Sequence, residues 1–591
     1  MNLISKNKEL AQAALFLQKN DFVVTNVQLV NVLSKEILAA NVYVKGKNIS
    51  YVDYHLKNLP DGLAVIDGKG QYLLPGLIDT HMHIESTMLT PQRFADLVAP
   101  LGTTTVVCDP HEVANVFGIT GVEYVAQCGQ NLPMRQLIDV PSCVPSVEGL
   151  EKSGATFHDR EVSQLLELDS VVGLAEVMDY EGVIHQKERM TEIITAVKDQ
   201  GYYIQGHCPL LSGQRLAAYR IGGPVSDHEA TSIEEIQEKV RNGFYIDIRE
   251  SNTNRNLGKF IQTIKDWKCL DRFTFCTDDR RTNVILREGH INGLVKKAIT
   301  NGMDPIDAIS FATINAAQEI KAEDLGAIAP GYIADMILVH DLKQMRPSIV
   351  IFEGQVVAKE GKIFDPTQET LNLAIEKRSS MNIPTLKTTD FLIAVPKEKK
   401  ENQEIIMNVM AYESFTSSFT HLEQDVFKIK DSFIDLADKK DMMYAMVINR
   451  HGEGTFSVCA TKAFGIDHGA LATTVSHDSH NVTLVYDTPS NAKAALTQLV
   501  AQRGGMVAVE DGQVIASLPL AVAGLMSDEE PAELVAQIDQ MTAANRKLGN
   551  TYLENPVSRI TILALLVSPF VKLSDLGLVD TQKQEFISLF N

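Results

Sequence analysis

Short apolar stretches alternate with helical segments from about residue 74 to about residue 325, and this alternation constrains the fold more than any other feature of the sequence. It is typical of parallel α/β folds, because parallel strands are joined by crossover helices. The candidate strands are GLIDTHMHI, GTTTVVCD, QLIDVPSCV, VVGLAEV, YYIQGHC, a weak one at VSDHEA, GFYIDIRE and FTFCTDD. This number of strands, over a region of this length, predicts a (β/α)8 barrel of the TIM type.

Segments rich in β-strand pattern flank the barrel region on both sides. DFVVTNVQLVNV before it and SIVIFEGQVVAKEGKIF after it alternate apolar and polar residues. We expect residues 1–73 and 326–373 to form one small β-sandwich beside the barrel of residues 74–325, with two separate hairpin modules as the alternative. Residues 374–396 are predicted to be a linker, and residues 397–591 a C-terminal mixed α/β domain. A chain of 591 residues is too long for a single core, which agrees with this division.

The formal net charge of −21 narrows the range of partners. Phosphate backbones and anionic lipids repel an acidic chain, so no nucleic acid and no membrane surface is expected as a partner.

The longest apolar runs, such as Ile560 to Val567, are too short to span a bilayer, and the N-terminus lacks a signal-peptide pattern. Seven cysteines without a C-x-x-C pair fit reduced thiols. These features predict a cytoplasmic protein.

His81 and His83 follow the apolar stretch LLPGLIDT in the first candidate strand of the barrel. Residues i and i+2 of a strand point to the same face, so both imidazoles can reach one ion. Their place at the carboxyl end of a strand is also where TIM barrels carry their active sites. An H-x-H pair is a weak signal by itself, because two histidines on a strand are more often packed or exposed than bound to metal.

Polar residues recur at the carboxyl ends of the later candidate strands, at Glu176, His207, His228 and Asp278. In a parallel barrel all of these strand ends meet on one face. Each side chain would be costly to bury unpaired at the end of an apolar strand, and a shared cation removes that cost for all of them together. The alternative, several unrelated polar groups, has to explain each residue separately. The sequence therefore predicts a metal site at the mouth of the barrel.

The stretches around these residues resemble a known enzyme family. PGLIDTHMHIES resembles the first barrel strand of the amidohydrolase superfamily. The adenine deaminase family within it is similar over nearly the whole chain, in GTTTVVCDPHEVANVFG, PSCVPSVEG, GLAEVMDY, GHCPLLSG, SDHEA, CTDDR, VSHDSHN and LPLAVAGLMS. The resemblance implies a C-terminal α/β domain of the adenine deaminase type. It also implies hydrolytic deamination of adenine to hypoxanthine and ammonia by a metal-bound hydroxide, a reaction of purine salvage.

The same resemblance implies how the candidate ligands divide between two metals. His81 and His83 would hold the first metal, and His207 and His228 the second. Glu176 stands where many superfamily members carry a carbamylated lysine that bridges the two metals, and a carboxylate can bridge as well. Glu176 is therefore expected to serve both the metal centre and catalysis.

Asp278 would touch the first metal and also transfer protons. We prefer it to Asp279 because superfamily members place the acid directly after the Ser or Thr that ends the strand, here Thr277. Strand alternation leads to the same choice, since Thr274, Cys276 and Asp278 would share one face.

The predicted ligands are nitrogen and oxygen atoms without a thiolate, which permits Mn, Fe or Zn. The resemblance favours two Mn²⁺ ions for each active site, with Fe²⁺ or Zn²⁺ as alternatives. Cys208 lies next to a ligand, but it should point the opposite way along its strand and serve in packing.

Two further polar clusters are weaker candidates for the substrate pocket. The first follows the second strand in DPHE, and its members are Asp109, His111 and Glu112, of which Glu112 is the candidate for a catalytic role. Its simpler interpretation is a turn before a helix, with Asp109 as the cap. The second is VSHDSHN in the C-terminal region, with His477, Asp478 and His480. It would either fold over the barrel mouth or lie at a subunit contact, unless it is only a polar turn between strands.

Three other functions compete with adenine deamination. A cyclic-amide hydrolase of the same superfamily, similar to dihydroorotase or hydantoinase, would carry the bridging lysine on the fourth strand, which here reads VVGLAEVMDY. A non-catalytic scaffold protein that retains the barrel would have lost ligands. A deaminase of nucleic acids would show the H-x-E and P-C-x-x-C zinc signature. A homodimer is expected because it is the commonest symmetric assembly.

Overall fold

The computed structural model describes residues 3–57, 59–252, 254–367, 375, 378–399, 403–417, 419–553 and 557–590. The chain begins with helix α1 (Leu3–Ala14) and then forms five strands: β1 (Phe22–Asn31), β2 (Glu36–Lys45), β3 (Asn48–Asp53), β4 (Ala64–Asp67) and β5 (Tyr72–Pro75). Among the described residues, no helix is both long enough and apolar enough to cross a bilayer.

Eight parallel strands then follow within the described residues: β6 (Leu77–Met82), β7 (Thr103–Cys108), β8 (Arg135–Val140), β9 (Val171–Val177), β10 (Tyr203–Gly206), β11 (Ser226–Asp227), β12 (Tyr245–Arg249) and β13 (Phe273–Cys276). The strands from β6 to β10 pair in chain order, and so do β11 to β13. Two backbone hydrogen bonds join these groups, from Val225 N to Ile204 O at 2.9 Å and from Asp278 N to His81 O at 3.1 Å. The prediction of a TIM-type α/β fold is therefore confirmed.

Helices follow most of the barrel strands: α2 (Pro91–Val98), α3 (His111–Phe117), α4 (Ile119–Cys128), α5 (Asp159–Leu165), α6 (Tyr180–Ile184), α7 (Glu188–Asp199), α8 (Gly213–Gly222), α9 (Ile233–Arg241), α10 (Leu257–Ile264), α11 (Thr282–Glu288), α12 (Ile291–Thr300), α13 (Pro305–Phe311) and α14 (Ile314–Glu319). They form because apolar residues recur at helical spacing, as in α7, where Met190, Ile193 and Val197 are buried. Such faces pack on the strands, and the largest apolar core of the chain lies there.

The segments that flank the barrel meet in one sheet. After the barrel come β14 (Met336–Val339), β15 (Pro347–Phe352), β16 (Gln355–Lys359) and β17 (Lys362–Ile363). β14 pairs antiparallel with β5, with Leu338 opposite Leu73, so nine strands join over the described residues. The prediction that this unit is a β-sandwich, and the domain boundaries predicted above, stay predictions.

The C-terminal part of the chain is mixed α/β. Its strands are β18 (Glu404–Tyr412), β19 (Thr420–Lys430), β20 (Phe433–Asp435), β21 (Met442–Ile448), β22 (Phe456–Lys462), β23 (Ala470–Thr473), β24 (Val482–Tyr486), β25 (Gly505–Glu510), β26 (Gln513–Pro519), β27 (Val571–Leu573), β28 (Leu578–Asp580) and β29 (Glu585–Ile587). Its helices are α15 (Pro489–Ala501), α16 (Pro531–Lys547) and α17 (Ser558–Thr561).

The end of the segment predicted to be a linker packs into this C-terminal core. Phe391, Ile393 and Val395 are buried there, and the amide of Ile434 donates to Ile393 O at 3.0 Å. The burial follows from the alternation of apolar residues in FLIAV, which is a strand-like pattern. Residues 374, 376 and 377 of the predicted linker lie outside the described residues.

The C-terminal part is docked on the carboxyl-terminal face of the barrel. Thr90 N donates to Ser527 O at 3.1 Å, and Ser527 N donates back to Met88 O at 2.9 Å. Asn481 donates from its side chain to the carbonyl of Lys152 at 2.8 Å. These contacts bring the loop between β23 and β24 to the mouth of the barrel.

A buried ion pair supports the strand that carries His228. The Lys239 ammonium is fully buried and lies 2.7 Å from Asp227 Oδ2 and 2.6 Å from Glu235 Oε1. It also donates to the carbonyl of Cys208 at 2.8 Å. These partners compensate for the cost of burying the charge, and they fix Asp227 directly beside His228.

We predict that Lys239→Met lowers the free energy of unfolding by about 3–5 kcal/mol, because Asp227 keeps its charge in a buried place without its partner. Urea denaturation followed by circular dichroism measures the change. Lys296→Met, at an exposed position of α12, is the matched control and should leave the midpoint unchanged. Equal midpoints for Lys239→Met and the unsubstituted protein would contradict a stabilising role for the pair.

Candidate metal centre

His81 and His83 lie at the carboxyl end of β6 with both side chains buried. Their rings are 4.8 Å apart, as the i, i+2 spacing predicts. His81 Nδ1 lies 2.8 Å from Gln205 Oε1, and His83 Nδ1 lies 3.0 Å from the carbonyl oxygen of Asp109. Because both partners are acceptors, each Nδ1 carries a proton, which leaves Nε2 as the atom that faces the centre and would ligate a cation.

Glu176, at the end of β9, lies between two groups of histidines. Its Oε1 is 4.0 Å from His81 Nε2 and 3.5 Å from His83 Nε2. Its Oε2 is 2.5 Å from His207 Nδ1 and 3.2 Å from His228 Nε2. Each carboxylate oxygen therefore faces a different histidine pair, so Glu176 lies between two sets of candidate ligands.

Asp278 completes the group on the side of His81 and His83. Its Oδ1 is 3.8 Å from His81 Nε2 and 3.2 Å from His83 Nε2. The next residue, Asp279, turns away, and its Oδ1 lies 2.6 Å from Ser86 Oγ. The choice of Asp278 agrees with this geometry, but the alternation argument for it does not. β13 ends at Cys276, and Asp278 has a left-handed backbone with φ of 51°, so its side chain is aimed by a turn.

The electrostatics of the cluster favour ionised carboxylates and a neutral His81. Burial and the neighbouring His228 hold the pKa of His81 well below its usual value. Burial alone would raise the pKa of Glu176, but His207 and His228 bring it well below its usual value. Burial likewise opposes the charge of Asp278, but Arg249, His83 and His228 together more than offset it, so the pKa of this carboxyl is also well lowered. Neutral imidazole and ionised carboxylate are the states that ligate metals.

The buried donor atoms fit divalent cations. His81 Nε2 has no hydrogen-bond partner within the described residues, although the side chain is fully buried. His81, His83 and Asp278 offer ligand atoms close enough for one ion, and so do His81, Glu176 and His228. A buried donor without a partner is costly unless a cation or proton satisfies it. Cys208 is not part of this set, because its sulfur faces Asp227 Oδ1 at 3.3 Å.

Sequence reasoning missed the arginine of this site. Arg249, at the end of β12, donates to Asp278 Oδ2 and pairs through its other nitrogen with Glu229 Oε2 at 2.8 Å. Because Arg249 binds Oδ2, the other oxygen of Asp278, Oδ1, faces His81 and His83. The signal was the charged end of the strand GFYIDIRE, but only the parallel pairing of β12 with β13 brings this arginine beside Asp278.

Asp109, His111 and Glu112 line the same mouth after β7. Asp109 accepts from the backbone amide of His111 at 3.0 Å, as a cap would, and its second oxygen lies 2.9 Å from His111 Nδ1. His111 Nδ1 is also 3.9 Å from Glu176 Oε1, so this ring borders the metal centre. Glu112 lies further out and accepts a hydrogen bond from Ser86 at 2.6 Å.

His477, Asp478 and His480 lie over the barrel mouth, in the loop between β23 and β24. His480 Nε2 is 3.4 Å from Glu112 Oε2, and its Nδ1 accepts from the amide of Ser476 at 3.3 Å. His480 therefore carries its proton on Nε2, and neither this nitrogen nor Glu112 Oε2 has a hydrogen-bond partner among the described residues. Asp478 Oδ1 lies 3.6 Å from His111 Nε2. Both sequence-predicted pocket clusters thus meet, one from the barrel and one from the C-terminal part.

Comparisons with known proteins agree with this arrangement. Residues 72–357 match the model of the amidohydrolase family, and residues 417–585 match the model of the adenine deaminase C-terminal domain. The adenine deaminase of Thermosipho africanus is 35% identical over 98% of this chain and 99% of its own length. Adenine deaminase 2 of Carboxydothermus hydrogenoformans is 35% identical over 97% of both chains. The adenine deaminase of Clostridium botulinum (strain ATCC 19397) is 33% identical over 99% of this chain and 97% of its own.

We predict that Glu176→Gln and His81→Ala each lower the content of bound divalent metal. The glutamine cannot supply a second anionic oxygen, and the alanine removes a ligand. Elemental analysis of the purified proteins measures the loss. Glu192→Gln, exposed on α7, is the control and should keep the full content. Undiminished metal in both site variants would remove these residues from the ligand set.

Proposed function

Because this chain belongs to the adenine deaminase family of amidohydrolases, we propose that it hydrolyses adenine to hypoxanthine and ammonia. The observation that supports this proposal most strongly is the similarity of this chain to adenine deaminases over almost its whole length. Relatives named adenine deaminase match 97–99% of the chain, and the C-terminal family model is present. The converging histidines and carboxylates supply the chemistry that such a hydrolysis needs.

The centre binds divalent metal, and two Mn²⁺ ions for each active site are the finer proposal, with Fe²⁺ or Zn²⁺ as alternatives. His81, His83 and Asp278 would hold one ion, His207 and His228 the other, and Glu176 would bridge them. Bound divalent cations lower the pKa of water, so that a strong nucleophile exists at neutral pH. The donor set of imidazoles and carboxylates suits all three metals.

The reaction joins the oxygen of water to C6 of adenine and breaks the bond from C6 to N6. One proton of the water leaves with the amino group as ammonia, and the other ends on the hypoxanthine ring. Asp278 would accept a proton through Oδ1 and return it to the departing nitrogen. Arg249 holds Oδ2 and keeps the carboxylate ionised before the attack. A positioned acid–base group of this kind typically accelerates a reaction by ~100- to 10,000-fold.

Glu112 is proposed as a second group for proton transfer or substrate binding. Its carboxylate is fully buried, and Ser86 donates to one of its oxygens. His480 Nε2 lies 3.4 Å from the other oxygen, which has no hydrogen-bond partner among the described residues. The serine fixes the direction of the carboxylate, and the second oxygen is left for a proton or a donor of the substrate. Asp109 and His111 connect it to the metal centre along the same loop.

Neither a cyclic-amide hydrolase nor a non-catalytic scaffold protein is favoured. The strand that ends at Glu176 carries no lysine, which a cyclic-amide hydrolase usually places there. A scaffold protein without catalysis would have lost ligands, and here all six predicted ligands converge.

We also propose that the protein works as a homodimer, for which size-exclusion chromatography with light scattering is the test.

The proposed activity is tested with metal-reconstituted protein and a panel of purines, with ammonia release as the readout. We expect ammonia release from adenine. Dihydroorotate and hydantoins release no ammonia on ring opening, so they are followed by loss of the cyclic compound, and none is expected. Ring opening of a hydantoin without ammonia release from adenine would replace the proposal with a cyclic-amide hydrolase. Absence of activity on every compound, in protein without bound metal, would favour a scaffold.

We predict that Asp278→Asn lowers kcat for adenine by roughly 100- to 10,000-fold and retains most of the metal. An amide cannot take the proton, but it keeps one oxygen ligand. Steady-state kinetics and elemental analysis on the same preparation separate the two effects. Asp271→Asn, exposed before β13, should behave as the unsubstituted enzyme. A kcat unchanged in Asp278→Asn would show that another group carries the proton.

A further inference from the structure

The loop between β23 and β24 holds Asp478 against the barrel by contacts on both sides. The amide of His477 donates to Thr561 O at 2.9 Å, and Arg450 donates to the carbonyl of His480. Asn481 reaches across to the barrel and donates to Lys152 O at 2.8 Å. The position of the Asp478 side chain is therefore fixed by the docking of the C-terminal part.

The Asp478 carboxylate has an oxygen that accepts no hydrogen bond from the described residues. Its side chain is 4% exposed, and Oδ1 lies 3.6 Å from His111 Nε2. Oδ2 is buried and has no hydrogen-bond partner among the residues that the structure describes. Leaving a buried carboxylate oxygen unpaired is costly, so the arrangement is explained best by a donor that arrives with a ligand.

One imidazole ring separates this carboxylate from the metal centre. His111 faces Asp478 with Nε2 and faces Glu176 Oε1 with Nδ1, the latter at 3.9 Å. A substrate whose reacting carbon lies at the metal centre and that extends along this ring reaches the C-terminal loop. In adenine, N9 of the five-membered ring is among the ring atoms farthest from C6, and in the free base it carries an N–H.

We propose that Asp478 accepts a hydrogen bond from the N–H of the five-membered ring and thereby selects free purine bases over purines substituted at N9. The proposal rests on the proposed function and assigns a specificity residue to it. A nucleoside has a sugar in place of that hydrogen. Its binding would leave the buried carboxylate unpaired, and its sugar would meet the loop of His477 and Asp478. Sites built to bond an N–H of the substrate reject analogues without it by up to ~10,000-fold or more.

The alternative is that Asp478 only orients His111. The two possibilities differ in which substrates are affected. A positioning role through His111 acts at the reacting end and would slow every purine by the same factor. A direct bond to the ring N–H affects only those purines that carry it, so the ratio between two substrates is diagnostic.

The experiment compares adenine with 9-methyladenine in Mn²⁺-reconstituted enzyme. For the unsubstituted enzyme we expect kcat/KM to favour adenine by at least about 1,000-fold. In Asp478→Ala we expect kcat/KM for adenine to fall by about 100-fold and that for 9-methyladenine to change by less than about threefold. Where turnover of 9-methyladenine is below detection, its inhibition constant against adenine shows whether the substitution changes its binding, and we expect a change of less than about threefold.

Two further variants keep the test decisive. Asp478→Asn retains an acceptor oxygen and should lie between the unsubstituted enzyme and Asp478→Ala, and it serves in place of Asp478→Ala if that variant fails to fold. Asp438→Ala, whose side chain is 71% exposed in the same part of the chain, should change neither substrate.

An equal fall for adenine and 9-methyladenine in Asp478→Ala would overturn the proposal in favour of a positioning role. An unsubstituted enzyme that accepts both compounds equally would overturn it as well. An unsubstituted, metal-loaded enzyme without activity on adenine would instead refute the proposed function, so the two failures are distinguishable.

Discussion

The placement of one buried carboxylate, that of Glu176, organises the rest of the site. Its two oxygens face separate histidine pairs, His81 with His83 and His207 with His228. Burying an ionised carboxylate in such a position costs free energy unless positive charge surrounds it. Neutral imidazoles alone do not supply that charge. The site is therefore stable as a unit only with cations or protons between these groups. This requirement links the fold of the barrel to its chemistry.

The barrel meets this requirement by geometry, and the C-terminal part completes it. Parallel strands bring residues from distant parts of the chain to one face, and the hydrogen bond from Asp278 N to His81 O closes the ring there. The loop that carries Asp478 and His480 then covers the mouth and adds contacts to His111 and Glu112. Water exclusion of this kind strengthens every electrostatic interaction inside the site.

Much of the centre could be predicted because its signals are local. Strand spacing predicts that His81 and His83 point to one face. The position of a polar residue at the end of an apolar strand predicts Glu176 and His207. Other features depend on tertiary structure, and the local sequence does not determine them. The pairing of Arg249 with Asp278 requires two strands to be adjacent, and the direction of the Asp278 side chain follows from a left-handed backbone that alternation does not foresee. The position of Asp478 depends on domain docking, which no periodicity encodes. The segment FLIAV lies in the predicted linker, and its burial depends on residues that are far from it in the chain.

Anomalous diffraction from crystals grown with Mn²⁺ tests the central claim most directly, because it locates the ions without reference to activity. Two peaks are expected, one bordered by His81, His83 and Asp278 and the other by His207 and His228, with Glu176 between them. A map with no peak beside Glu176, or with bound manganese only elsewhere in the molecule, would contradict the claim that this carboxylate joins two cations.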